Sequence, residues 1–134
     1  MNTLTCSQSI RRTLFVLYAL ALFTATHWPG LAIASPGFSR LDLLIHAGVF
    51  AGWTILFTAC GVFGPALSNR NISRSIPVAL LYALLDELTQ GIPFLRRTVD
   101  PLDLAANATG IVLAALGLVL WTRARRSPTE SSKQ

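Results

Sequence analysis

The side chains able to do chemistry in this chain are few, and they recur at helical spacing. Asp42 and His46 are four residues apart, as are Asp86 and Gln90, and Asp103 and Asn107; Glu87 stands three before Gln90. Residues three or four apart share one face of an α-helix. Carboxylates beside an imidazole can supply a general base and a general acid. Arg96 and Arg97 precede the last of these stripes, and an arginine there can hold a phosphate or carboxylate through two parallel hydrogen bonds. Ser39 and Thr98 are available hydroxyls, but neither has the setting of an activated nucleophile.

The elements that carry these residues are apolar. Of 134 residues 52% are hydrophobic and 13% charged, and the mean hydropathy is +0.54. So few charges cannot cover a soluble domain of this size. Residues 13–39, 43–69 and 104–122 contain no Asp, Glu, Lys or Arg, and each can hold a membrane helix of roughly 20 residues. Apolar runs at Thr13–Ala34, Leu41–Gly64, Ile76–Leu95 and Leu102–Trp121 predict an all-α, four-helix transmembrane bundle. It forms one unit over 1–126, followed by a polar tail at 127–134. Strands are excluded because an open sheet in lipid leaves backbone groups unpaired.

Charge orients the bundle. The net charge is +5, and the side holding both termini and the 65–75 loop carries eight basic residues against three on the other. The eight are Arg11, Arg12, Arg70, Arg74, Arg123, Arg125, Arg126 and Lys133; the three are Arg40, Arg96 and Arg97. Both termini are therefore expected in the cytoplasm of a plasma (inner) membrane protein, with nucleic acid excluded as a partner. A competing expectation makes residues 1–34 a cleaved signal peptide ending at Ala32-Ile33-Ala34. Cys6 and Cys60 form no metal or redox spacing, no Gly-rich phosphate loop is present, and no His-Glu-x-x-His pair marks a metal site, so no metal or cofactor is expected. Gly48 and Gly52, and Ala106, Gly110 and Ala114, are read as stripes for close helix packing.

By depth, the polar residues gather at the outer end of the spans. A carboxylate facing hydrocarbon costs a few kcal/mol or more, so the three stripes are expected to face one another. Asp42 and Asp103 also suit helix N-termini, Arg40 suits the headgroup region, and His27 suits an interface beside Trp28. Glu87, Gln90, His46 and Asn107 are too deep for such readings.

These residues carry a family resemblance. Asp42-Leu43-Leu44-Ile45-His46 is similar to the Asp-Lys-x-x-His of the VanZ-like family of small membrane proteins. Glu87-Leu88-Thr89-Gln90, Pro93, Arg96-Arg97 and Asp103-Leu104-Ala105-Ala106-Asn107 with Gly110 resemble its Glu-x-x-Gln, Pro-Gly-Arg, Asp-x-x-x-Asn-x-x-Gly run. Leu43 stands where the family has Lys, and Pro-Phe-Leu-Arg-Arg replaces Pro-Gly-Arg, so either Arg96 or Arg97 matches the family arginine. The resemblance implies a four-helix envelope protein, in a family named after a determinant of teicoplanin resistance.

Two classes of function follow. In one, an enzyme acts on a lipid-linked or cell-wall substrate, with Glu87, His46 and Asp103 catalytic and Arg96, Arg97, Gln90, Asn107 and Asp42 binding the substrate. In the other, the same cluster binds an anionic headgroup or locks the helices without catalysis. Membrane lipids are the expected partners in both.

Overall fold

The computed structural model describes the backbone over residues 3–29, 41–95 and 98–126, and side chains over 7–29, 41–95 and 98–125. Among the described residues four α-helices run in order, α1 Thr3–Thr26, α2 Leu41–Ala59, α3 Asn69–Gln90 and α4 Pro101–Arg126, with a 3-10 turn at Pro93–Leu95. No strand occurs among the described residues. Ser7–Thr26, Leu41–Ala59 and Pro101–Arg125 are each long and apolar enough to cross a membrane. The 22 residues of α3 measure about 33 Å at 1.5 Å per residue, but α3 is not among the helices that are apolar enough to cross by composition, so three of the four expected spans are found on that ground. Its charges, Arg70, Arg74, Asp86 and Glu87, stand towards its two ends.

Helix boundaries depart from the apolar runs because backbone chemistry, not hydropathy, stops a helix. The first run predicts a span over 13–34, but α1 includes Arg11 and Arg12 and ends at Thr26. Pro29 disfavours a helical Trp28, which explains the stop. The second predicted span reaches Gly64, yet α2 ends at Ala59, since Gly61 adopts φ 65° in the turn that follows. α3 begins seven residues before its predicted start, at a Ser68 N-cap whose side chain accepts from the Asn71 N–H at 3.2 Å.

Asn71 then builds the whole α2–α3 turn. It is fully buried, donates from Nδ2 to Thr58 O (2.7 Å) and Ala66 O (2.8 Å), and accepts from Phe63 N–H (3.0 Å). One side chain thus meets a carbonyl at the end of α2, which also accepts from Gly61 N–H, together with a carbonyl and an amide of the loop.

The core lies between these helices. Phe50, Trp53, Ala79, Ala83 and Ile111 are buried together with Leu22. Trp53 stacks on Tyr82 at 5.0 Å and meets the edge of Phe15 at 5.1 Å, tying α1, α2 and α3 together. Along α3 the buried residues Ile72, Ser75, Ala79, Ala83, Asp86 and Gln90 follow one stripe. Small residues in its middle let neighbouring helices approach closely.

The most extensive helix contact is α2 against α4. Gly110 makes it possible: a Cβ there would fall on the Ala47 carbonyl and lie 2.9 Å from the Ala47 Cα. The other glycine stripe divides. Gly52 packs under the Tyr18 hydroxyl, while Gly48 faces open space and packs against nothing within 4 Å. Tyr18 donates to Val49 O at 2.8 Å, so α1 is bonded to α2 as well as packed on it. The proposed cleavage site at 32–34 lies outside the described residues, as does the tail at 127–134.

Candidate functional site

The site forms where the end of α3 meets the starts of α2 and α4. Asp86 and Glu87 are adjacent on α3 and turn to different neighbours.

Glu87 turns to α4. It is 1% exposed, and its Oε1 accepts the Asp100 N–H at 2.7 Å. Asp100 is itself the cap of α4: its Oδ1 accepts from Leu102 N–H (2.8 Å) and its carbonyl from Asp103 N–H (3.0 Å). Pro101 fills the first helical position, where a missing N–H costs nothing. In a capping box the acidic side chain three residues after the cap reaches back to the cap N–H. Here Glu87 takes that N–H from across the bundle. Asp103, which occupies the reaching-back position, faces His46 instead: its Oδ2 lies 3.5 Å from His46 Nε2.

The other nitrogen of the same imidazole, His46 Nδ1, lies 3.1 Å from Asn107 Oδ1. Both ring nitrogens of His46 thus face oxygens supplied by α4. Asn107 is fully buried, and among the described residues neither its Nδ2 nor Glu87 Oε2 has a hydrogen-bond partner. A buried donor and a buried acceptor left open are expensive, and they mark where a polar group would be welcomed. His46 also lies within electrostatic reach of both Asp86 and Glu87.

Asp86 turns to α1. Its Oδ1 accepts from Thr26 Oγ1 at 2.9 Å and its Oδ2 from Gln90 Nε2 at 3.1 Å. His27 Nδ1 stands 3.8 Å from Asp86 Oδ1, and His27 Nε2 is 2.8 Å from Thr89 Oγ1. The imidazole stacks on Phe23 at 4.1 Å, and its Nδ1 lies 3.0 Å from Phe23 O.

Of the residues singled out in the sequence, Glu87, His46, Asp103 and Asn107 are brought into one network with Asp100. Gln90 is buried beside them as the partner of Asp86. Asp42 is not: its side chain is exposed in the first turn of α2, where the helix dipole favours an acid. Its spacing puts it near the face of His46, but its side chain is exposed while that of His46 is half-buried. Arg96, Arg97 and Arg40 lie outside the described residues. Among the described residues, no group of three or more His, Cys, Asp and Glu is arranged to hold a metal ion.

Sequence reasoning missed Thr26, and read His27 as interfacial, so neither was expected beside Asp86. No sequence signal placed them there, because the first apolar run continues to Ala34 and hides that α1 stops at Thr26. The backbone of Asp100 as ligand of Glu87 carried no signal in residue type.

An all-helical membrane protein with buried acids and amides, and half-buried imidazoles beside them, at one end of its bundle is the class that this fold and site define. The VanZ/LLP1 family model matches residues 3–122, and the chain belongs to that family. The match includes α1 and therefore the partners of Asp86. No curated protein and no solved structure is matched by the chain.

Proposed function

We propose that this is a multi-pass plasma-membrane protein of the cell envelope whose polar cluster opens on the extracytoplasmic side and performs proton transfer on a lipid-linked or cell-wall substrate. The observation that carries this reading is Glu87. It is buried, one carboxylate oxygen is anchored by a backbone N–H, and the other has no partner among the described residues. Such a carboxylate is fixed in position yet has an oxygen available for a proton. His46, oriented by Asp103 and Asn107, is the second acid–base group. Gln90 positions Asp86, and Arg96 or Arg97 supplies the cation for a phosphate or carboxylate. The distribution of arginines supports cytoplasmic termini. Family membership supports a link to glycopeptide susceptibility, to be read as a change in teicoplanin inhibitory concentration on expression.

A second reading, a non-catalytic lock between helices or a headgroup-binding site, is favoured by one observation. Both oxygens of Asp86 are already satisfied by Thr26 and Gln90. Glu87→Gln separates the two. It keeps shape and the ability to accept from Asp100 N–H but removes proton exchange. An envelope phenotype lost at unchanged membrane protein level supports catalysis, whereas an unchanged phenotype refutes it. Loss of the protein itself in Glu87→Gln, His46→Ala and Asn107→Ala alike supports the lock.

A further inference from the structure

The acids of α3 sit below the surface, and a proton used there has to arrive from outside. One route is built in side chains. The Thr26 hydroxyl lies 3.0 Å from His27 Nδ1 and 2.9 Å from Asp86 Oδ1, while the imidazole nitrogen itself is 3.8 Å from that carboxylate oxygen. Direct transfer at 3.8 Å is too long for a hydrogen bond, and the hydroxyl bridges the gap with two good ones. Thr26 has one proton for two acceptors, Asp86 Oδ1 at 2.9 Å and Phe23 O at 3.2 Å, and the nearer is the carboxylate. The outer end of the chain of groups is accessible. His27 is half-buried just past the end of α1, beside exposed Trp28 and Pro29, and its Nε2 meets the exposed Thr89.

We infer that His27, Thr26 and Asp86 form a proton port between the outer surface and the buried acids. A proton arriving at His27 Nε2 makes the imidazolium. Its Nδ1 proton then passes to Thr26 Oγ1 as the Thr26 hydroxyl proton passes to Asp86 Oδ1. The products are a carboxylic acid on Asp86 and a neutral His27 bearing the Nε2 hydrogen; the reverse sequence carries a proton out. The titratable groups within electrostatic reach of this carboxyl are His27 just past the end of α1, His46 from α2, and Glu87 and Tyr82 from its own helix, with Asp103 of α4 acting on Glu87. Asp86 and Glu87 lie within electrostatic reach of each other, so loading the port changes the field at the proposed acid–base residue. The port rests on the proton-transfer reading for its purpose, but its geometry involves none of the Glu87 contacts.

The test is infrared spectroscopy of the full chain in lipid nanodiscs, following hydrogen–deuterium exchange of the protonated carboxyls. Asp86→Asn assigns one band and Glu87→Gln the other. Thr26→Val, which keeps shape and removes the hydroxyl, is expected to slow exchange of the Asp86 carboxyl by at least roughly tenfold, and Thr26→Ser to restore it. His27→Phe keeps a ring on Phe23 and is expected to slow exchange equally, so it carries the test if Thr26→Val does not fold. Exchange at the wild-type rate in Thr26→Val and His27→Phe overturns the port. A Glu87 band that never responds to pH defeats the proton-transfer reading instead, and leaves the Asp86 rates to decide the port.

Discussion

Replacing Gly110 by alanine should damage the polar site from a distance, and the size of the effect can be worked from the crossing of α2 and α4. The added methyl would lie 2.9 Å from the Ala47 Cα and overlap the Ala47 carbonyl. Ordinary carbon contacts need about 3.5 Å or more, so the helices must part by roughly 1 Å. The neighbouring residue on α2 is His46, whose Nδ1 lies 3.1 Å from Asn107 Oδ1 on α4. Adding ~1 Å takes that contact past the limit of about 3.5 Å at which a hydrogen bond is lost. Overpacking costs about 1–3 kcal/mol and the lost bond about 1 more, against a gain of up to about 1 kcal/mol in helix propensity. Gly117, on the same helix with nothing within 4 Å, isolates the propensity gain, so Gly117→Ala should be neutral or slightly stabilising. Unfolding in mixed micelles measures both variants, and nitrogen NMR of the His46 ring reports the contact. If Gly110→Ala is as stable as Gly117→Ala and the His46 signals do not move, α4 is not held against α2 at Ala47 and the close crossing is refuted.

Asn71→Ala should cost about 2–4 kcal/mol in the same unfolding assay, because Ala66 O and Phe63 N–H lose the Asn71 side chain together and Thr58 O keeps only the Gly61 N–H; a loss under about 1 kcal/mol would mean that water takes its place. Single cysteines introduced at Trp28 and Leu67, in a chain with Cys6 and Cys60 replaced by serine, should react with a membrane-impermeant thiol reagent from opposite sides. Labelling at position 28 from outside and at 67 only after lysis is the expected result, and the reverse pattern overturns the cytoplasmic assignment of the termini.

How much of this was legible in the sequence depends on the kind of signal. Helix class was visible, because uncharged runs of membrane length have few alternatives, whereas α3 was legible only as an apolar run interrupted by Asp86, Glu87 and Gln90. The grouping of Glu87, His46, Asp103 and Asn107 was visible too, because helical spacing and the cost of burying polar groups both point to one place. Helix ends were not. Hydropathy does not see that Ser68 and Asn71 start α3 early, or that a left-handed Gly61 follows the end of α2. Asp42 illustrates the limit of spacing arguments. It is four residues from His46, but one turn along a helix also moves a side chain about 5.4 Å towards solvent, and here that is far enough to expose it.

The backbone at Asp100 explains why the acids of α3 and the start of α4 belong to a single arrangement. A helix starting Asp-Pro-Leu-Asp would ordinarily close its own first turn, with Asp103 reaching back to the Asp100 N–H. Glu87 accepts that N–H instead, at 2.7 Å, and Asp103 faces His46 at 3.5 Å. The carboxylate of α3 thereby does two things: it registers α4 along the bundle, and it leaves an acid of α4 for the imidazole of α2. Moving any one of the three helices would disturb the other two at the same residues. This is why Gly110, which has no polar group, still governs the chemistry: it sets the α2–α4 spacing on which the His46 contacts depend, one turn away from Asn107.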